Sequence, residues 1–224
     1  MENIGDAILY KNNQLIAFNK PAGIPVQKDP TDDKCLLDLA EIYCKSKLHL
    51  VNRIDRPTSG IVLFAKNAAA MTALTNQFKN KQITKYYLAV VANLPAEKEG
   101  KLTNYIKKQL KGNSSKAYAD ATEGGELAEM EYRHLASIDR YHLLEVKLIT
   151  GKHHQIRAQL AAIGSPIKGD TKYGFNRSNK DRSIHLHAWK MSFVHPVSME
   201  LVNLTAPIPK DPVWDAFELE KLAV

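Results

Sequence analysis

His49-Leu50-Val51-Asn52-Arg53-Ile54-Asp55-Arg56-Pro57-Thr58-Ser59-Gly60 leads without a break into Ile61-Val62-Leu63-Phe64-Ala65. The second part is a continuous apolar run, the pattern of a strand buried on both faces. The first part carries the turn formers Pro57 and Gly60 and sets the carboxylate of Asp55 between Arg53 and Arg56. A loop that feeds a rigid strand is where chemistry concentrates. Flanking guanidiniums favour an ionised carboxylate, and an ionised carboxylate can act as a nucleophile or a base. The same arginines are suited to grip phosphate. Taken alone, Arg-x-Asp-Arg is far better read as a surface turn with a local ion pair.

Working outward, Ile8–Tyr10 and Leu15–Phe18 read as short strands around the turn residues Asn12-Asn13, and Leu36–Tyr43 as a short helix. Asn67 is placed to cap a helix through Ala70, Leu74 and Phe78, after which Tyr86–Ala92 returns as a strand. In the second half the period is two. His142, Leu144, Val146 and Leu148 share one face; upstream, Ala128, Met130, Tyr132 and His134 do the same. Ile156, Leu160 and Ile163 recur at helical spacing from about His153, with Gly164 as terminator. Trp189, Met191 and Phe193 mark one face of a late strand. Strands in consecutive runs with few helical crossovers indicate an α+β fold, with a mixed, largely antiparallel central sheet flanked by helices and loops around a cleft. The stretch 107–125 reads as loop and hairpin.

The chain has 224 residues, enough for one large domain or two closely joined halves; a single domain over residues 1–224 is the expectation. Cys35 and Cys44 are too few for a disulfide framework and make no zinc pattern, which points to a reduced, cytoplasmic setting. Residues 1–13 lack the apolar run of a signal peptide, and no segment is long and apolar enough to cross a membrane. The formal net charge of +7 and the pI near 9.2 favour a polyanionic partner. His185 and His187 alternate on a strand but have no carboxylate at ligand spacing, so they read as hydrogen-bonded residues and not as a metal site.

The long string from Arg53 to Asn67 resembles the signature of the RluA-type family of RNA pseudouridine synthases, which reads roughly His-Arg-Leu-Asp-Arg-x-Thr-Ser-Gly-Leu-Leu-Leu-Phe-Ala-Lys. Asn52 stands where that family usually has His. The similarity extends along the chain. Asn19-Lys20-Pro21-Ala22-Gly23 resembles the family's Lys-Pro-x-Gly loop, and Thr84–Val91 resembles its Lys-x-Tyr-x-Ala-x-Val strand, with Tyr87 at the position of the active-site tyrosine. Thr150-Gly151-Lys152-His153-His154-Gln155-Ile156-Arg157-Ala158-Gln159-Leu160 resembles Thr-Gly-Arg-x-His-Gln-Ile-Arg-x-His-Leu, with Lys152 in place of an arginine and Gln159 in place of a histidine. Gly164–Asp170 with Tyr173-Gly174, and Leu186-His187-Ala188, are similar to two further family segments.

The resemblance implies the pseudouridine synthase fold and the isomerisation of specific uridines in ribosomal or transfer RNA. It implies Asp55 as nucleophile, Arg157 as the arginine paired with it, and Tyr87 as the ring that packs on uracil. Arg53, Arg56, Lys152, His154 and Gln155 are the expected RNA contacts. No cofactor is implied, because the reaction involves no redox change, and no metal is implied either. A monomer without a separate N-terminal RNA-binding domain is expected. Three other readings compete: an inactive RNA-binding protein on the same fold, a nucleoside hydrolase that would release free uracil, and a histidine-based, metal-dependent nuclease.

Overall fold

The computed structural model describes residues 4–31 and 33–221. Met1, Glu2 and Asn3 of the N-terminal stretch lie outside the described residues. In chain order the elements are β1 (Ile8–Lys11), β2 (Leu15–Lys20), α1 (Leu36–Cys44), β3 (His49–Leu50), β4 (Ser59–Ala65), α2 (Ala68–Lys79), β5 (Thr84–Val91) and β6 (Glu99–Lys108). They continue with β7 (Ser115–Tyr118), β8 (Glu126–Ile138), β9 (Tyr141–Leu148), α3 (Gln155–Ala162), β10 (Leu186–Val194), β11 (Leu201–Thr205) and α4 (Pro212–Asp215). The chain forms two compact units, Met1–Lys85 with His187–Pro209, and Tyr86–Leu186 with Lys210–Val224.

In the first unit the strand order is β1-β2-β4-β10, with β3 on β4 and β11 on β10. The β1–β2 turn forms because Asn12 Oδ1 accepts the backbone N–H groups of Gln14 and Leu15, at 2.9 and 2.8 Å. β4 is buried at every position, as its unbroken apolar run requires. It pairs antiparallel with β2, Phe64 opposite Ile16, and parallel with β10, Ser59 opposite His187 and Gly60 opposite Ala188. Asn67 caps α2 by accepting from Ala70 N–H at 2.9 Å, which turns the Ala70/Leu74 face onto Leu15, Ile61, Leu63, Met191 and Phe193.

The second unit is antiparallel throughout, in the order β5-β9-β8-β6-β7. The stretch 107–125 is a hairpin: β6 runs on to Lys108 and β7 returns, pairing Lys108 with Ser115 and Tyr105 with Tyr118. α3 lays Ala158 against Ile106 and Ala128 of this sheet. The helix ends at Ala162, and Gly164 turns the chain away from it: Gly164 N–H bonds to Ala161 O at 3.0 Å and Ser165 N–H to Leu160 O at 2.9 Å. The fold class is therefore α+β with largely antiparallel strands, as the residue pattern indicated.

Candidate active site

Asp55 sits half-buried in the turn before β4, which Thr58 N–H closes onto Asp55 O at 3.0 Å. Asn52 pins the turn to the strand. Its Nδ2 donates to Ile61 O at 3.2 Å, and its Oδ1 accepts from Leu63 N–H at 2.8 Å, so one side chain supplies both halves of a strand pairing. The residue that departs from the family pattern thus has a structural task here.

Beneath the turn lies Lys20, fully buried. Its ammonium donates to the carbonyls of Pro21, Ile24 and Arg56 at 2.9, 2.8 and 3.1 Å. Burial pushes the lysine down to about 7; the carboxylate of Asp55 works in the opposite direction, and Arg56 adds to the lowering. Gly23 N–H also donates to Arg56 O at 2.8 Å, and Arg56 Nε donates to Gly23 O at 2.9 Å. The Lys-Pro-x-Gly loop and the Asp55 turn are therefore sewn together. Nothing in the sequence singled out Lys20 itself; the Pro-Gly pattern marked only a turn. The far end of the Arg56 guanidinium meets Asp33 at 2.5 Å, Thr31 Oγ1 at 3.0 Å and Asp29 at 3.4 Å. Arg53 is exposed on the same turn.

In the second unit, Tyr87 is buried on β5, opposite Val146 of β9. Arg157, on α3, is also buried. Its Nε donates to Asp170 Oδ2 at 2.7 Å and an Nη donates to Asp170 Oδ1 at 2.8 Å. The ring of Tyr173 lies under the guanidinium, 4.8 Å from Cζ. Lys152 reaches Glu126 at 2.6 Å. His154 and Gln155 lie inside. Gln155 accepts from Thr150 Oγ1 at 2.8 Å and Lys152 N–H at 3.0 Å, and donates to Glu129 O at 3.0 Å and Gln159 Oε1 at 2.9 Å. Gln159, fully buried, in turn donates to Asn104 Oδ1 at 2.8 Å. His154 has left-handed backbone at φ 54° and stacks on His153 with ring centroids 3.8 Å apart. Burial, with Arg157 and His153 alongside, pushes His154 down to about 2, so it is neutral near pH 7.

Among the described residues, no group of three or more His, Cys, Asp or Glu is arranged to hold a metal ion. His185 bonds to Asp211 at 3.1 Å and stacks on Trp214; in the other unit, His187 bonds to Ser59 Oγ at 2.8 Å. A groove of about 530 Å³ in the second unit is lined by Tyr86, Tyr132 and the pairs Arg133–Glu145 and Lys147–Glu131. None of the sequence-predicted site residues lines it. Tyr86 and Tyr87, as strand neighbours, point to opposite faces.

The sequence model of a family described as RNA pseudouridylate synthase matches residues 14–162, a span that contains Asp55, Tyr87 and Arg157. The chain belongs to this family. Its members are isomerases that convert uridine in RNA to pseudouridine. The chain is 31% identical to tRNA pseudouridine synthase C of Pasteurella multocida, over 92% of each chain. It is 34% identical to ribosomal large subunit pseudouridine synthase C of Rickettsia felis, over 91% of this chain and 68% of the relative. Among solved structures, human RNA pseudouridylate synthase domain containing 4 matches with a TM-score of 0.77 at 25% identity, over 97% of this chain and 93% of the other. The family segment Gly169-Asp170-x-x-Tyr173-Gly174 falls beyond the matched span, yet the structure folds it against Arg157.

Proposed function

We propose that Asp55 is the nucleophile with which this chain isomerises specific uridines in ribosomal or transfer RNA. The observation that carries the reading is the construction of the Asp55 turn. Asn52 and the buried Lys20 tie it to β4 and to the Lys-Pro-x-Gly loop, so the carboxylate is held before any substrate arrives. Arg157 is its cationic partner, orienting it and compensating its charge. The bond from ribose C1′ to uracil N1 breaks and the base turns within the site; the bond formed by the Asp55 carboxylate is released as C5 joins C1′, the C5 proton leaves, and N1 takes up a proton. Tyr87 packs on the uracil ring and offers a hydroxyl for proton transfer.

Extruding the uridine from its stack costs roughly a few kcal/mol, which phosphate contacts offset. Arg53, Arg56 and Lys152 bring the charge for those contacts. Gln155 supports them from behind by accepting the backbone N–H of Lys152. Arg56 can fill the space of the extruded base only by exchanging Asp29 and Asp33 for RNA. The named relatives act on transfer RNA and on the large ribosomal subunit, and both classes stand as substrates. Mapping pseudouridines in total RNA from cells with and without this gene tests the reading: specific sites should vanish with the gene. Unchanged modification, or release of free uracil by the purified protein, would refute it.

A further inference from the structure

We infer that Asp170 and Tyr173 are positioning residues for Arg157, a clamp that sets the plane and direction of its guanidinium. The inference rests on the reading of Arg157 as partner of the nucleophile. The Arg157 and Asp170 side chains are only 5% and 1% exposed. Taking two such ions out of water is costly, and a pair this buried is a weak source of net stability compared with apolar packing. What the pair supplies is geometry. Two parallel N–H···O bonds of 2.7 and 2.8 Å fix a planar fork in position and in rotation, which a single contact does not. The Tyr173 ring, 4.8 Å from Cζ, supports the cation from its face.

The clamp is itself rigid. Gly169 has φ +87°, and a Cβ there would come within 2.7 Å of Asn179 Nδ2 and 2.8 Å of Ser183 O. The next residue, Asp170, closes the following turn by accepting the N–H groups of Tyr173 and Phe175 at 3.0 and 3.1 Å. One short turn therefore carries both clamping groups. Its outer end is anchored at the Tyr173 hydroxyl, which accepts Ser115 N–H at 2.7 Å and lies 2.9 Å from His154 Nδ1. Ser115 Oγ is in turn 2.8 Å from His153 Nδ1. The ring under Arg157 is thereby fixed both to β7 and to the residues leading into α3.

The test is pseudouridine formation on one RNA, with kcat and KM resolved by single-turnover rates. The variants are Asp170→Asn, Tyr173→Leu, Arg157→Ala and the double variant Asp170→Asn with Arg157→Ala. If the clamp acts through Arg157, Asp170→Asn lowers kcat about 100-fold with KM for RNA unchanged, and Tyr173→Leu about 10-fold. The double variant should react at the rate of Arg157→Ala alone. A folded Asp170→Asn protein with wild-type kcat, one altered only in KM, or a double variant slower than Arg157→Ala would overturn the clamp. Should Asp170→Asn not fold, Tyr173→Leu decides, since it leaves the ion pair in place: lowered kcat at constant KM supports the clamp and wild-type kcat overturns it. Wild-type turnover by Arg157→Ala would instead sink the reading of Arg157 on which the clamp rests, whereas an impaired Arg157→Ala beside a fully active Asp170→Asn would sink the clamp alone.

Discussion

Ser59 and His187 are 128 residues apart in sequence, yet the Ser59 hydroxyl and His187 Nδ1 share a buried hydrogen bond of 2.8 Å. The bond joins the Thr-Ser-Gly end of the Asp55 segment to the Leu-His-Ala segment of β10. Beside it, Gly60 passes so close to Ala188 that a side chain has no room: a Cβ there would overlap the Ala188 carbonyl and lie 2.6 Å from its amide nitrogen. Gly60 also has φ +112°, where L side chains are strained. This junction sets where β4 begins, and so where the Asp55 turn stands.

Gly60→Ala should therefore lower stability by at least about 2 kcal/mol, because neither backbone can yield without breaking the β4–β10 pairing. Urea unfolding followed by circular dichroism checks it. An unchanged midpoint would show that the close approach is not needed.

Two buried histidines make stability sensitive to acid. Burial holds His187 down to about 4 and His154 down to about 2, against 6.5 for an exposed imidazole. Below pH 6.5 the unfolded chain takes up protons that the folded chain refuses, so stability present above pH 6.5 is lost as pH falls toward 4. His187→Gln should flatten part of that slope in urea unfolding measured between pH 7 and pH 4.5. An identical slope in the variant would place His187 outside the effect.

Lys20 acts at the other end of the scale. Its folded value near 7, against 10.5 for a free lysine, means that the unfolded chain binds more protons between those limits. Stability then rises as pH climbs from about 7 to 10.5, the penalty of the buried charge being fully present below 7. Lys20→Met removes this gain and takes the lysine donor from three carbonyls, of which Arg56 O keeps the Gly23 N–H. The stability gap between wild type and variant should be wider at pH 9 than at pH 6.5; an equal gap would contradict a depressed lysine.

Much of the fold was legible in the residues. The apolar run of β4, the Asn67 cap and the two-residue period of β8 and β9 are local signals, and each corresponds to an observed element. The candidate site was less so, because its supports are made at long range. Lys20 read as part of a turn, yet it is the buried cation beneath that turn, a role set by carbonyls on two separate loops. Arg157 is likewise held by Asp170 and Tyr173, which lie over a dozen residues further on and beyond the reach of any helical period. Gln155, an expected RNA contact, and Gln159, in place of a histidine, are drawn inside by partners on β8 and β6 that no local pattern marks.

The phosphate contacts carry a salt signature. Each cation that neutralises a phosphate should contribute about 0.7 to the slope of log affinity against log salt on single-stranded RNA. Arg53→Ala, Arg56→Ala and Lys152→Ala should each reduce the slope by roughly that amount in filter-binding titrations. A variant whose slope equals that of wild type does not remove a phosphate contact.

The claim that Asp55 performs the chemistry is tested most directly by Asp55→Asn, a change that keeps the shape of the side chain and removes its charge. Pseudouridine should be counted by chemical probing on an RNA shown to be modified by the wild-type protein, with binding to the same RNA measured in parallel. Binding should persist and pseudouridine should disappear; an Asp55→Asn variant that still forms pseudouridine at the wild-type rate would show that the carboxylate is not the nucleophile.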